Sequence, residues 1–549
     1  MQLNKGGNFK TMVAMALFVS ALLLPYCVTA QGQSGKFIDP READGYYKDK
    51  NFIAAIRVYK ELLSQKPGDM DYHYKLGLCY LNTNIDKTEA ILYFEWITKQ
   101  AKFDNQAWYD LGKAYHYANR FKDAIRVFTK FKEEANSSDK AKADKQLEEC
   151  ENGIQLMKYP VSVTFQNVGK DVNSPYPDYY PLVNEDESMI VFTTRRPGPT
   201  SEREEIDGYY SSDIYVAHAA DGKWQKAKSI GTQINSTDDE EAVGLNPSGS
   251  ELVIYFDHIK EYGKLYFSER KANIFSKPIP YNALTINSDF QTSGSVSPDG
   301  STLFFASKRA GGYGEQDIYM AKKLPNGQWA LPQNLGPNIN TPYDEDFPWL
   351  DVDGLTLYFS SKGHTTMGDY DLFKSQWLNP DSNNWAPPQN LGYPVNTAGD
   401  DRCISFTSDH RVAYVSRVRP EGEGDMDLYR ISFTGMQRYA VVRGKIITGD
   451  TGKVEATITA INVKTKDQLT FKPVPRNGHY VMALTPGVYS IKIESNGLTP
   501  LTDNIVIYDL SSFQPETVKD YSFIKENNTP PPHTPKDEKI KTAPPGSVH

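Results

Sequence analysis

One phrase recurs along the middle of this chain and limits what the chain can fold into. Gln333-Asn334-Leu335-Gly336-Pro337-Asn338-Ile339-Asn340-Thr341-Pro342-Tyr343 has a second copy in Gln166-Asn167-Val168-Gly169-Lys170-Asp171-Val172-Asn173-Ser174-Pro175-Tyr176. Looser copies stand at Ile230-Gly231…Ile234-Asn235-Ser236, at Ile286-Asn287-Ser288 and at Asn390-Leu391-Gly392…Val395-Asn396-Thr397. The phrase asparagines at 173, 235, 287, 340 and 396 are roughly fifty to sixty residues apart. A period of about that size, without helical periodicity, is the mark of β-propeller blades.

Each unit carries the same signs in the same order. A polar turn such as Ser297-Pro298-Asp299-Gly300 or Asp351-Val352-Asp353-Gly354 precedes a short apolar strand, as at Leu303 to Phe305 and Leu357 to Phe359. A triplet follows in all five units: Asp213-Ile214-Tyr215, Lys264-Leu265-Tyr266, Asp317-Ile318-Tyr319, Asp371-Leu372-Phe373 and Asp427-Leu428-Tyr429. The Asp-Gly turns need only a left-handed residue at a hairpin, not calcium. Five triplets predict five blades of four strands over 160–435. The fifth unit stops at Ile431 with no outer strand after it, so Val161 to Gly169 is expected to supply that strand and close the ring. The units resemble the WD-repeat-like blades of the TolB-type propeller family.

Acidic residues cluster where the innermost strands begin: Asp238-Asp239-Glu240-Glu241, Asp344-Glu345-Asp346, Asp400-Asp401 and, more weakly, Asp178. The candidate ligand residues among them are Asp178, Asp239, Glu240, Asp344, Glu345, Asp400 and Asp401. Ringed around one mouth of a channel, they could hold a cation, a basic peptide or sugar hydroxyls; the plainer reading is solvated loop ends. Arg195-Arg196, Lys308-Arg309 and Arg417 follow the buried strands and are their available counter-charges.

Upstream, over 39–157, the apolar period is helical and repeats too. Gly77 and Gly112, and Ala55, Ala90 and Ala124, mark equivalent places in Tyr46…Ala55…Tyr59…Pro67, Leu76-Gly77…Tyr80…Ala90…Phe94 and Trp108…Leu111-Gly112…Tyr115…Ala124…Phe128. This resembles the tetratricopeptide repeat, although Ala43 stands where the first copy should have its glycine. Lys140 to Met157 reads as the capping helix. The resemblance implies a concave groove for a partner peptide or helix; the alternative is a stack that only packs on the neighbouring propeller. Ring closure just after the last helix places the stack near the seam between the last and first blades.

Downstream, over 437–523, strands alternate again around Val441 to Ile446, Ala456 to Ile461, Gly478 to Leu484 and Gly487 to Ile493, with turns at Asn477-Gly478 and Pro486-Gly487. This looks like the small, non-catalytic, carboxypeptidase regulatory-like β-sandwich. The segment 524–549, with Pro530-Pro531-Pro532 and mixed charges, reads as a disordered tail. The expected architecture is therefore multidomain: an all-α tetratricopeptide solenoid, an all-β five-bladed propeller and a small β-sandwich.

The first thirty of the 549 residues read as a signal peptide, with Lys5 and Lys10, an apolar run from Met12 to Leu24, and Val28-Thr29-Ala30 before Gln31. Acylation of Cys27 is the rival, against a poor lipobox at Leu24-Pro25-Tyr26. No later stretch is apolar enough for a transmembrane segment. A net charge of −9 argues against nucleic-acid binding. Cys79, Cys150 and Cys403 lack paired spacing and are expected as buried thiols, a Cys79–Cys150 bridge being the alternative. Neither a Gly-x-Ser-x-Gly elbow, a His-Glu-x-x-His pair nor a phosphate-cradling loop occurs. No catalytic residue, cofactor or metal is assigned.

This order of modules resembles the periplasmic OmpA-family proteins of Bacteroidetes, and most closely the propeller-containing, peptidoglycan-associated component of type IX secretion and gliding. In that family an OmpA-like domain follows the sandwich, where this chain has its tail. The resemblance implies a non-catalytic scaffold in the periplasm, associated with the outer membrane. Its partners would be envelope proteins (outer-membrane or secretion-system components), with peptidoglycan reached only indirectly. The alternative function is glycan binding or cleavage at the acidic channel mouth.

Overall fold

Side-chain oxygens start three of the helices. Asn51, Asp69 and Asn136 each accept a hydrogen bond from the backbone N–H three residues on, at 3.1, 3.2 and 3.0 Å. Each satisfies a donor that a helix leaves orphaned in its first turn. In a computed structural model of the chain, the described residues are 38–257, 262–282, 284–379, 382–434, 440–449, 453–508 and 517–523. The signal-peptide, Cys27 and tail readings lie outside them. Two units separate, Met1–Asp39 and Pro40–His549, and every element below belongs to the second.

Seven α-helices come first: α1 (Pro40–Lys48), α2 (Phe52–Gln65), α3 (Met70–Asn82), α4 (Ala90–Ile97), α5 (Gln106–Tyr117), α6 (Phe121–Glu134) and α7 (Ser137–Lys158). The sequence glycines sit where paired helices touch. A Cβ on Gly77 would stand 2.8 Å from the Phe94 ring, one on Gly112 would run into Phe128, and one on Gly153 would reach Phe121 at 2.5 Å. Ala43, in the glycine place of the first copy, is fully buried. Cys79 and Cys150 are free, buried thiols.

From Val163 to Phe433 the strands form five antiparallel sheets. Their inner strands are Asp178–Val183, Asp239–Leu245, Gln291–Val296, Glu345–Leu350 and Ile404–Phe406. Their third strands open at the repeated triplets, at Asp213, Lys264, Asp317, Asp371 and Asp427. Val163–Asn167, directly after α7, pairs with the third strand of the fifth sheet in the register Val163↔Phe433 to Asn167↔Tyr429. Neighbouring sheets share apolar cores. Phe304 and Ile318 pack with Phe359, Phe373 and Trp385 between sheets three and four; Phe192 and Tyr215 pack with Tyr414 and Leu428 between sheets one and five. Last packing against first gives a β-propeller-like fold.

The phrase asparagines explain why the phrase repeats. Asn235 accepts from the backbone N–H of Ile214 and donates to its carbonyl, both at 3.0 Å. Asn287 does the same to Leu265, Asn340 to Ile318, Asn396 to Leu372 and Asn173 to Leu428. Each amide side chain thus pairs a third-strand N–H that would otherwise be buried without a partner, and shares the carbonyl with the N–H of the residue after the fourth strand. Asn173 makes this bond to the fifth sheet, so the first phrase belongs to the closure.

Beyond residue 440 two more sheets share one core. Val442, Ile446, Tyr480, Met482 and Leu484 of one face Ile458, Ala460, Ile491, Ile493 and Ile505 of the other. Their strands bury alternate residues, as the sequence period requires.

The helical stack touches the sheets mainly at the fourth, through Thr366, Met367, Asp369 and Tyr343. Asn51 also reaches Gly208 of the first sheet's long loop. The stack is therefore centred toward the fourth sheet rather than on the closing seam, because α7 lies along the loop after the fourth sheet's second strand before the chain enters Val163.

Candidate functional site

The candidate acids divide into two kinds according to which way the chain turns them. Asp178, Glu240, Glu345 and Asp401 each stand five residues after a phrase asparagine, and each is buried. Each accepts the backbone N–H of the Ser or Thr four residues earlier: Ser174 (2.6 Å), Ser236 (2.8 Å), Thr341 (2.8 Å) and Thr397 (2.6 Å). Arg196 pairs with Asp178 at 2.5 Å and Arg417 with Asp401 at 2.8 Å. These four carboxylates clasp the turn into the inner strand and are neither solvated nor turned to the channel. Burial pushes Glu240 and Glu345 up to about 8. It also raises Asp178 and Asp401 against the opposing pull of their arginines. In the third copy Gln291 holds the equivalent place, and Arg309 instead donates to the Ile286 carbonyl at 2.9 Å. Arg195 turns away to Asp207 and Glu205.

The next residue in each copy faces the other way, as along a pleated strand, although Arg402 stands just before its strand at Ile404–Phe406. Tyr179, Glu241, Thr292, Asp346 and Arg402 are these five, and they join one another across sheets. Tyr179 Oη donates to Glu241 Oε1 at 3.0 Å and bonds Ser212 Oγ at 2.9 Å. Thr292 and Ser293 hydroxyls donate to Asp346 Oδ1 at 2.7 and 2.5 Å. Arg402 lies 3.8 Å from the other Asp346 oxygen, donates to Asp400 at 3.0 Å, and stacks 4.3 Å over the Tyr370 ring. Asp239 accepts the Ser212 N–H at 2.6 Å, and Asp344 pairs with Lys362 at 2.9 Å.

Below this cup the channel is closed. Tyr180 of the first sheet and Phe347 of the fourth meet with ring centroids 4.4 Å apart. Sheets one and four are not neighbours, so the two rings meet across the axis. Both residues have positive φ, +52° and +47°, at shifts of strand register. Non-glycine residues hold that conformation only where the surroundings impose it.

Glu241 and Asp346 occupy unlike settings within the cup. Burial pushes Glu241 up to about 7, with Asp239 and Asp257 adding to the rise and Tyr179 and Arg402 opposing it. Asp346 has two hydroxyl donors and the Arg402 guanidinium beside it. The cup thus offers one carboxyl that titrates near neutrality, one hydrogen-bonded carboxylate, a guanidinium and aromatic walls. Sequence reasoning placed Glu241 and Asp346 in the acidic clusters but chose Asp178, Asp239, Glu240, Asp344, Glu345, Asp400 and Asp401 as candidates, and it passed over Arg402. Counting six residues on from the phrase asparagine, five in the third copy, would have found Glu241, Asp346 and Arg402. Among the described residues no group of three His, Cys, Asp or Glu is placed to hold a metal ion.

A second cleft of about 430 Å³ lies between the stack and the fourth and fifth sheets, with Lys87 and Tyr117 on one wall and Asp369, Asp400 and Arg419 on the other. Beside it, α5 and α7 grip the loop of residues 365–369. Asn152 Nδ2 donates to the Thr366 carbonyl at 2.9 Å and Lys145 Nζ to the Thr366 hydroxyl at 3.1 Å. His116 Nε2 meets the Met367 carbonyl at 2.8 Å, and Tyr117 Oη donates to Asp369 at 2.8 Å. Since a carbonyl only accepts, His116 carries its proton on Nε2.

Comparison with known proteins agrees with this picture at a coarse level. The tetratricopeptide repeat model matches residues 41–95 and 84–139. No curated protein sequence matches the chain. Among solved structures, a glycoside hydrolase is similar over 52% of this chain and 96% of its own, at 10% identity and a TM-score of 0.35. A periplasmic gluconolactonase of Pseudomonas aeruginosa is similar over 61% and 97%, at 14% identity and 0.25. Hydrazine synthase of Kuenenia stuttgartiensis is similar over 59% and 79%, at 13% identity and 0.26. Likeness this distant bears on no activity. The helices at residues 41–139 are tetratricopeptide repeats, a protein-binding architecture, carried in front of a β-propeller-like region.

Proposed function

We propose that the protein is a non-catalytic scaffold of the bacterial cell envelope, exported to the periplasm and associated with the outer membrane. In this reading its five sheets are the blades of one propeller closed by Val163–Asn167, and its last two sheets are a regulatory-like β-sandwich. It joins envelope partners, of the type IX secretion or gliding kind, through its helical stack and propeller. The observation that carries the reading is the grip of α5 and α7 on a bent loop, partly through main-chain carbonyls, which is how a peptide-binding surface works. Affinity purification of the tagged protein from periplasm tests it. Outer-membrane or secretion components in stoichiometric amount are expected; a chain recovered alone contradicts it. Intact mass of the mature protein decides between cleavage after Ala30 and acylation at Cys27.

The channel cup favours a second reading, a glycan-binding or glycan-cleaving propeller. Glu241, pushed up to about 7, and the hydrogen-bonded Asp346 are two carboxyls in unlike settings around Arg402, as acid and base roles require. Glycan-array binding that vanishes in Glu241→Gln and Asp346→Asn would support it, and flat arrays would dispose of it.

A further inference from the structure

The loop of residues 365–369 sits in the helical stack as a ligand would. Thr366, Met367 and Gly368 are buried although they lie between two strands at the edge of the fourth sheet. Two of the four hydrogen bonds from the helices to the loop go to main-chain carbonyls, from Asn152 and His116, and read a bent backbone of any sequence; the sheets hold the same loop through Asn390 Nδ2 to the Thr365 carbonyl and the Met367 N–H to Asp371. The other two from the helices read a hydroxyl at Thr366 and a carboxylate at Asp369. The surroundings favour that carboxylate: burial works against its charge, yet the charges of Lys113 and Lys87 and the Tyr117 hydroxyl hold Asp369 below its ordinary range. His116 is kept neutral by burial, pushed down to about 4, so its ring stays a single-proton donor at ordinary pH. Gly368 answers to the other side. A Cβ there would stand 2.5 Å from the carbonyls of Thr397 and Gly399, so the glycine serves packing on the fifth sheet, not recognition by the stack.

We infer that α5 and α7 form a recognition site for a bent acidic segment of the pattern hydroxyl, buried apolar, any residue, Asp, and that the chain occupies this site with its own residues 366–369. A partner segment of that chemistry enters only by displacing the loop, so the loop is a built-in competitor. This rests on the reading of the stack as protein-binding and adds what it binds and what blocks it.

The probe is an acetylated, amidated peptide of residues 362–371, titrated into the full chain by fluorescence anisotropy. The triple variant Thr366→Gly, Met367→Gly, Asp369→Asn, which keeps loop length and Gly368, is expected to bind the peptide at least tenfold more tightly than the unaltered chain. Adding Asn152→Ala or Tyr117→Phe to that variant should take the gain away. Equal binding by the triple variant and the unaltered chain overturns the inference, as does a gain that survives Asn152→Ala. If the triple variant does not fold, hydrogen exchange of the unaltered chain decides: saturating peptide should speed exchange at the amides of 366–369, and unchanged exchange overturns the inference. Purification without partners would sink the scaffold reading and leave this peptide result standing, so the two failures are separable.

Discussion

The repeated asparagine earns its place by two hydrogen bonds, and removing it leaves one main-chain N–H buried without a partner. Asn340→Ala strips the Ile318 N–H of its partner, while the Ile318 carbonyl keeps the Leu335 N–H at 3.1 Å, which costs about 1–3 kcal/mol of unfolding free energy by urea titration. The same reasoning applies to Gly112, where an added methyl meets Phe128; Gly112→Ala should cost about 1–3 kcal/mol through overpacking. The clasp acids carry a pH signature. Glu240 and Glu345, raised to about 8, are protonated in the folded state across neutral pH, whereas the unfolded chain ionises them near the ordinary carboxyl range. Their contribution is therefore complete below that range and is lost as pH rises toward and through 8. Glu345→Gln keeps an oxygen for the Thr341 N–H and should show a smaller fall in melting temperature between pH 5 and 9 than the unaltered chain. At this scale the sequence was legible for the asparagine and the glycines, because their spacing repeats. It was misleading for the acids, because one residue of register in a pleated strand separates a clasp from a channel wall.

Val163–Asn167 is the element on which the sheets depend most. Without it the third strand of the fifth sheet, Asp427–Phe433, presents an open edge of the kind that recruits other chains. Gln166→Pro removes a ladder donor opposite Arg430, on the alternation set by the Val168 N–H bond to the Leu428 carbonyl. It should raise the particle size by light scattering; unchanged size and unchanged stability would mean that the closure lies elsewhere. The helices were legible through their 3.6-residue period and the third strands through their triplet. Gly153 against Phe121 was not, since α7 is a lone helix with no repeat to flag it. The grip of α5 and α7 on residues 365–369 was equally hidden, because the residues that meet there, such as His116 and Met367, lie 251 apart in the chain.

On the scale of the whole molecule, the helical stack meets the loop of residues 365–369 through directed polar contacts. The stack carries the partner-binding claim, and the cup of Tyr179, Glu241, Asp346 and Arg402 carries the rival one. The two give opposite outcomes in a single comparison. Tagged full-length protein should be purified from periplasm in three forms: unaltered, with Asn152→Ala and Tyr117→Phe in the stack, and with Glu241→Gln in the cup. The scaffold account predicts stoichiometric envelope partners with the unaltered protein and the cup variant, and their loss with the stack variant. Recovery of the chain alone in all three, or partners that leave only when Glu241 is changed, would contradict it.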